Sequence, residues 1–172
     1  PEVRTMRVDV RWFVLVIAAL VVGGISPAMA ASVQVVGGGL ISHPIKGKTI
    51  SSASDFGFAV TAAGGTFLCS MAGPLTGGFK GLKVMTVEGP VTAGSLKISG
   101  RTASFSGRAT VVLVPGMDNS AVQILSSVPF TVTVGTGGAG KAWLTMKVPQ
   151  FTKVLGGDTG GIVKIGSIRV EK

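Results

Sequence analysis

Residues 101–134 contain three strand-like runs: Thr102-Ala103-Ser104-Phe105-Ser106-Gly107, then Arg108-Ala109-Thr110-Val111-Val112-Leu113-Val114 and, after a polar loop, Val128-Pro129-Phe130-Thr131-Val132-Thr133-Val134. Apolar residues either occupy every second position of these runs or dominate them together with Thr. A pleated strand with one or both faces against a core has this pattern. The stretch therefore predicts β structure.

The same signals recur through the chain after residue 31. They lie in residues 33–36, 56–62, 66–71, 82–88, 95–99, 121–126, 141–148 and 162–170. Most of the 27 glycines fall in the turns between them, and helical periodicity is lacking. About nine or ten short strands with turns every 8 to 12 residues or so predict an all-β fold. We expect an antiparallel β-sandwich, with a small β-barrel as the alternative.

Two glycine positions stand out within the predicted strands. Gly37-Gly38-Gly39 ends the first strand, and three consecutive glycines allow a sharp turn or a close approach to another strand. Gly107 lies between the first two quoted runs, where we expect a bulge or a turn.

Residues 1–30 have the pattern of a signal peptide. Arg4, Arg7 and Arg11 precede an uncharged apolar run at residues 12–25, and Ala28-Met29-Ala30 forms a cleavage site of small residues. The run is shorter than the ~20 residues of a membrane-spanning helix, which disfavours an uncleaved anchor and stable membrane insertion. Residues 1–5, before Met6, we interpret as an upstream extension. The prediction is one secreted domain, residues 31–172, outside the cell, on its surface or in the periplasm.

The predicted mature domain is basic and has one cysteine. Of the 16 Lys and Arg, three lie in the signal peptide, as do two of the 7 Asp and Glu, which leaves thirteen against five and a net charge of +8. Such a surface attracts anionic partners or serves solubility, and its charges are spread rather than clustered. Cys69 cannot form an intrachain disulfide, and it alternates with Phe67 and Met71, which predicts a buried thiol.

An outer-membrane β-barrel is a structural alternative for a secreted chain with alternating strands. The aromatic residues amount to 6% and Tyr is lacking, so no aromatic girdles can be drawn. Most predicted strands are also shorter than the ~9 to 11 residues that cross a bilayer. Both features favour a domain outside the membrane.

Several segments resemble the post-COAP domain family, short secreted bacterial β domains. The similar residues lie within residues 33–148: Gly37-Gly38-Gly39, Ile41, Pro44, Gly47-Lys48-Thr49, Phe56-Gly57-Phe58, Ala103-Ser104-Phe105-Ser106-Gly107 and Phe130-Thr131-Val132-Thr133-Val134. Residues 50–55 and 121–127 lengthen the family pattern, and its usual His and Asp are missing, with Ala142 at the place of the Asp. The resemblance implies a sheet-rich, secreted or surface-bound module without catalytic activity.

The candidates for catalysis or metal binding are few. The predicted domain has one histidine, His43, and five scattered acids, namely Asp55, Glu88, Asp118, Asp158 and Glu171. One histidine and one cysteine cannot supply a usual zinc site, and the acids lack the spacing of a calcium loop. We therefore expect no enzyme, metal or cofactor. Convergence of two among His43, Asp55, Glu88, Asp118 and Asp158 in a pocket would favour a secreted hydrolase or lyase instead.

The candidate binding face is formed by Lys141, Trp143 and Lys147. These residues alternate with Ala142, Leu144, Met146 and Val148, which form the better core face, so Trp143 should project outward between two lysines. An indole flanked by cations can stack on a ring while the cations meet anionic groups. Alternatively, Trp143 covers a sheet edge or a loop and the lysines prevent edge aggregation. Lys83, Lys97 or Arg108 would extend the face if their strands are neighbours.

The sequence thus predicts a secreted, non-enzymatic structural or interaction module at the bacterial cell surface. Its expected partner is an anionic cell-envelope polymer or a surface protein, rather than nucleic acid. The two alternatives are the hydrolase or lyase and the outer-membrane barrel.

Overall fold

A computed structural model describes residues 32–44, 51–72, 81–116, 121–151 and 159–172. These ranges belong to one compact unit, Ser32–Lys172. The predicted signal peptide, and the predicted loops at residues 73–80 and 117–120, lie outside the described residues. Within the described part, no helix is long and apolar enough to cross a membrane.

The described residues form ten β-strands, which confirms the all-β class. In chain order they are β1 (Gln34–Pro44), β2 (Ser51–Thr61), β3 (Gly64–Ala72), β4 (Leu82–Val91), β5 (Lys97–Ser99), β6 (Thr102–Pro115), β7 (Gln123–Gly135), β8 (Gly137–Gly138), β9 (Trp143–Lys147) and β10 (Thr159–Glu171). A short 3-10 helix, Pro149–Phe151, lies between β9 and β10.

The strands pair into one closed antiparallel sheet. The order is β1-β2-β3-β4-β6-β7-β9-β10, and β10 pairs again with β1. Eight strands therefore close a barrel, while β5 adds to β6 and β8 adds to β10. Of the two predicted architectures the protein has the small barrel. Strand patterns alone could not decide this, because a sandwich requires the same alternation of residues.

Apolar side chains fill the inside of the barrel. The rings of Phe67 and Phe130 stack with centroids 5.2 Å apart, and Phe105 packs against Phe58 at 5.2 Å and Phe67 at 6.0 Å. Phe67, Phe105 and Phe130 are each at most 2% exposed. A barrel of eight strands is just wide enough to be filled in this way.

Cys69 belongs to this core, as its alternation with Phe67 and Met71 predicted. Its side chain is buried, and burial raises the pKa of the thiol to about 12, against the opposing effect of a hydrogen bond with Ser54. The thiol is therefore uncharged at neutral pH, which is the form that packs among apolar groups.

The three glycines at residues 37–39 lie within β1 and make a close approach rather than a turn. Gly39 faces Gly166 across the β1–β10 seam, and a Cβ added at Gly166 would lie 2.7 Å from the Gly39 Cα. This close contact lets the first and last strands pair from Gln34 to Ile41 and close the barrel. The prediction that the first strand ends at the glycines is therefore wrong, since β1 continues to Pro44.

Other strands are also longer than predicted, as β2 and β6 show. The strand at residue 56 begins at Ser51. The runs on either side of Gly107 form one strand, β6, because Gly107 is buried and pairs with Phe130, whose ring occupies the space of a side chain. In β7, Ser127 has a φ of 58°, and the β6–β7 register shifts nearby, between Ala109 and Val111.

Candidate binding site beside Trp143

The predicted alternation of residues 141–148 is confirmed. Lys141, Trp143 and Lys147 are exposed, with 37% of Trp143 accessible. Ala142, Leu144, Met146 and Val148 are each at most 3% exposed and belong to the core. Strand β9 thus presents the indole and Lys147 on the outside of the barrel, and Lys141 is exposed just before the strand.

The indole of Trp143 lies across the neighbouring strand. Trp143 pairs with Gly135 of β7, and a Cβ at Gly135 would lie 2.6 Å from both Cδ1 and Cε2 of the indole. Trp143 therefore covers β7 at its glycine; because β9 pairs with both β7 and β10, the ring lies over a paired strand and not over a sheet edge or a loop. More than a third of the side chain stays accessible, so part of the ring remains available to a ligand.

The exposed part of the indole borders a hollow of about 320 Å³, here called the tryptophan hollow. It is lined by Arg101, Thr102, Gly135, Thr136, Lys141 and Trp143. Its size is at the lower end of ligand pockets, which measure about 300 to 1,000 Å³. Two cationic side chains and an aromatic ring thus line the same surface hollow.

Backbone and side-chain hydrogen bonds fix Arg101 at this hollow. The Arg101 Nη2 donates to the carbonyl oxygen of Thr136 at 3.1 Å, and the Thr136 N–H donates to the carbonyl oxygen of Arg101 at 2.8 Å. The turn between β5 and β6 is thereby held against the end of β7. Among the described residues, the one ion pair joins Arg169 and Glu171, so Arg101 and Lys141 face no described carboxylate at salt-bridge distance.

A second hollow of about 500 Å³, here called the arginine hollow, adjoins the first. Its lining shares Arg101 and Thr136 with the tryptophan hollow and adds residues from β8, β10 and the β5–β6 turn: Gly100, Gly137, Ser167, Ile168, Arg169 and Val170. Arg101 therefore stands between the two hollows, with Lys141 and Trp143 on one side and Arg169 on the other.

Glu171 partly balances the charge of Arg169. The Arg169 Nε donates to Glu171 Oε1 at 2.7 Å, and Gln34 Nε2 donates to Glu171 Oε2 at 2.8 Å. The hydrogen bond from Arg169, followed by that from Gln34, lowers the pKa of the Glu171 carboxyl. The Arg169 side chain is still 68% exposed, so its guanidinium can also meet a ligand.

The other predicted basic residues lie outside both hollows. Lys147 pairs with Thr131 and stands four residues from Trp143, about 13 Å along the strand. Lys97 in β5 pairs with Ser104 of β6, and the Arg108 Nε donates a hydrogen bond to Ser127 Oγ at 2.8 Å. Lys83 is exposed on β4. Of the predicted trio, the hollow brings together Lys141 and Trp143.

Sequence reasoning missed Arg101 and Arg169. Arg101 follows Ser99-Gly100 in a tight connection and belongs to no alternating pattern that would mark it as a partner of Trp143. It approaches the indole because Thr102 pairs with Gly135, which in turn pairs with Trp143. Only the strand order β6-β7-β9 would have placed Arg101 beside Trp143, and the sequence does not reveal that order.

A third hollow, of about 590 Å³, lies on β2, β3 and β4. Its lining is mostly apolar, with Glu88 as its one charged residue: Gly57, Phe58, Ala59, Thr66, Phe67, Leu68, Glu88, Gly89 and Pro90. Leu68 is 42% exposed there. None of the predicted binding residues lies in this hollow.

The residues proposed for catalysis can be placed only in part. The side chain of His43, together with Asp118 and Asp158, lies outside the described residues. Asp55 and Glu88 are exposed on β2 and β4, with β3 between them, so their strands are about 10 Å apart. The described residues bring no three His, Cys, Asp or Glu side chains together as metal ligands.

The chain matches no family model, and neither a curated protein nor a solved structure is significantly similar to it. The resemblance to the post-COAP domain family therefore stays a prediction, and the function is argued from the site alone.

Proposed function

We propose that the barrel is a secreted, non-enzymatic binding module at the bacterial cell surface, which contacts an anionic glycan through the tryptophan hollow. The observation that supports this most is the meeting of Arg101, Lys141 and Trp143 around one hollow. The indole offers an apolar face to a sugar ring, and the cations offer charge-assisted hydrogen bonds to its acidic groups.

The lining of the tryptophan hollow favours binding over catalysis. Its six residues are an arginine, a lysine, an indole, a glycine and two threonines. General acid–base chemistry most often uses a histidine or a carboxyl group. The lining contains neither, so a hydrolase or lyase is less well supported.

The distribution of side chains also favours a domain in water over an outer-membrane barrel. A membrane barrel presents an apolar band to lipid and keeps its interior polar. Here the interior holds Phe67, Phe105 and Phe130, and the outside carries charged residues such as Arg108 and Lys147. An interior filled with phenylalanine rings thus favours a barrel outside the membrane.

The test is binding of the purified protein to polygalacturonate, a polymer of acidic sugars, in affinity electrophoresis. Arg101→Ala, Lys141→Ala and Trp143→Ala should each weaken binding by about tenfold, since each removes a contact of roughly 1.4 kcal/mol. The matched control is Lys83→Ala, which removes one charge outside both hollows. Added NaCl should weaken binding of the wild type because salt screens the cations.

Melting temperatures separate lost binding from lost folding. Arg101→Ala and Lys141→Ala change exposed side chains and should melt within a few degrees of the wild type, whereas Trp143→Ala also uncovers β7 and should melt lower, so its binding is measured well below its own melting temperature. Variants that bind as well as Lys83→Ala, or binding that persists unchanged in high salt, would contradict the proposed function.

A further inference from the structure

We infer that the site binds a linear anionic glycan over at least two consecutive repeat units, with Arg101 between two subsites. The tryptophan hollow is the first subsite and the arginine hollow the second. The inference rests on the proposed function and adds the length and chemical pattern of the ligand.

The two subsites are continuous because they share residues. Arg101 and Thr136 line both hollows, so no other strand separates them. Each hollow has one further cation, Lys141 in the first and Arg169 in the second. A single sugar acid in either hollow would meet two cations and leave the third without a contact. A chain of two or more acidic units meets all three.

The guanidinium of Arg101 is suited to a position between two acidic groups. Arginine carries five N–H donors in a planar fork, and the contact with the Thr136 carbonyl comes from one nitrogen, Nη2. The other donors remain for ligand oxygens, and the bond to Thr136 limits the rotamers that binding would otherwise have to freeze. Fixing a side chain before binding reduces the entropy lost on association.

The subsites differ in what they recognise. Trp143 gives the first an aromatic face for a ring, whereas the second is lined by Ser167 and Arg169 together with Ile168 and Val170 and has no aromatic side chain. The first subsite therefore stacks on a sugar ring with an acidic group, and the second holds the next acidic group through its cations without stacking. The ligand chemistry is a sugar chain with an anion in each repeat, either a carboxylate or a phosphodiester.

The experiment measures the affinity for galacturonate oligomers of one to six units by isothermal titration at low salt. Affinity should rise by about tenfold or more when the chain becomes long enough to reach the second subsite, and then level off. Arg169→Ala should weaken binding of the hexamer by about tenfold and affect binding of the single unit much less, because the tryptophan hollow still offers it two cations and the indole. Lys83→Ala serves as the charge-matched control for both ligands.

Additional probes test the chemistry. A neutral galactan oligomer has the rings without charge, and a glycerol phosphate oligomer has the charge without rings; both should bind more weakly than the galacturonate hexamer. Tight binding of a sugar-phosphate oligomer in place of galacturonate would support the inference and identify phosphate as the anion. Equal binding of glycerol phosphate and the sugar oligomers, unaffected by Trp143→Ala, would overturn it.

The outcomes distinguish the two proposals. If neither the galacturonate nor the sugar-phosphate oligomers bind at any length, the proposed function fails. If they bind with the same affinity at all lengths, and Arg169→Ala behaves as Lys83→Ala does, the proposed function stands and the two-subsite inference is overturned.

Discussion

Closure of the barrel depends on Gly166, so Gly166→Ala should destabilise the protein strongly. Gly166 has a φ of 103°, a conformation that side chains rarely adopt, and it faces Gly39 across the β1–β10 seam. An added Cβ would lie 2.7 Å from the Gly39 Cα and 3.0 Å from the Gly38 carbonyl carbon. These are backbone atoms, so the contact can be relieved only by moving the strands apart.

The expected loss follows from two contributions. A non-glycine residue held in a sparsely populated conformation costs about 1–3 kcal/mol. Forcing an extra carbon into a packed region costs about another 1–3 kcal/mol. The sum of roughly 2–6 kcal/mol is a large share of the ~5–15 kcal/mol by which a domain is stable.

Gly57→Ala is the matched control because it makes the same chemical change in a strand without these constraints. A Cβ at Gly57 meets no atom within 4 Å, and its φ is not in the unfavourable range. Replacing a strand glycine by alanine then stabilises by about 0.5–1 kcal/mol. The two variants should therefore shift stability in opposite directions.

Urea unfolding followed by circular dichroism measures the difference. With a slope of about 1–3 kcal/mol per molar urea, Gly166→Ala should lower the midpoint by roughly 1 M or more, and Gly57→Ala should raise it slightly. Hydrogen exchange of Gly166→Ala should speed up first in β1 and β10. Equal midpoints for the two variants would refute the role of this glycine in closing the barrel.

Three further predictions concern Gly135, Cys69 and Glu171. Gly135→Ser adds a Cβ where the indole of Trp143 lies, so it should displace the ring and weaken polygalacturonate binding without changing the net charge. The control Gly57→Ser should leave binding unchanged. Unchanged tryptophan fluorescence of Gly135→Ser would contradict the prediction. Cys69 should fail to react with a thiol reagent at about pH 8 in the folded protein and react fully in denaturant, because burial raises its pKa to about 12; rapid reaction of the native protein would contradict this. Because the folded-state pKa of Glu171 is lowered from its ordinary 4.5, its carboxylate stabilises the fold above that value, and this small contribution is lost as pH falls through the folded pKa. Glu171→Gln should remove the dependence, as seen in urea midpoints between about pH 2 and 6, and an unchanged profile would contradict the pairing with Arg169.

The strands could be predicted from the sequence because their signal is local. Residues 141–148 alternate so regularly that both the buried and the exposed residues followed from the pattern. Cys69 was predicted to be buried for the same reason, its alternation with Phe67 and Met71. A period of two residues shows which side chains of a strand face a core, but it is the same whether that core lies in a sandwich or in a barrel.

Barrel closure could not be predicted, because it depends on residues far apart in the chain. Gly39 and Gly166 make the seam possible, yet in the sequence they cannot be told from the many glycines that make turns. The expectation that the first strand ends at Gly37-Gly38-Gly39 was wrong for this reason. A glycine shows that the backbone has freedom, but only the partner strand shows how the freedom is used.

The position of the candidate site follows from the same closure. Phe67, Phe105 and Phe130 pack against one another inside the barrel, so we place binding at the hollows on its outside. On the outside, strands carry side chains to fixed places, but the connections at their ends bring distant segments together. Arg101 comes from the β5–β6 turn, Lys141 precedes β9, and Arg169 lies near the end of β10.

The glycines of residues 135–140 give this end of the barrel its shape. Gly135 leaves room for the indole of Trp143, and Gly137, with a φ of 151°, lines the arginine hollow and pairs with Ile168 in β10. A Cβ at Gly135 would meet the indole, and a Cβ at Gly137 would lie 3.2 Å from the Lys141 Cβ, so side chains at these two positions would displace residues that line the hollows. The sequence showed this segment as a run of turn residues, while in the fold Thr136 lines both hollows and Gly137 lines the arginine hollow beside Arg101. The glycine-rich connection therefore contributes to the site because its glycines have no side chains that would fill the space, and the basic residues around it supply the charge.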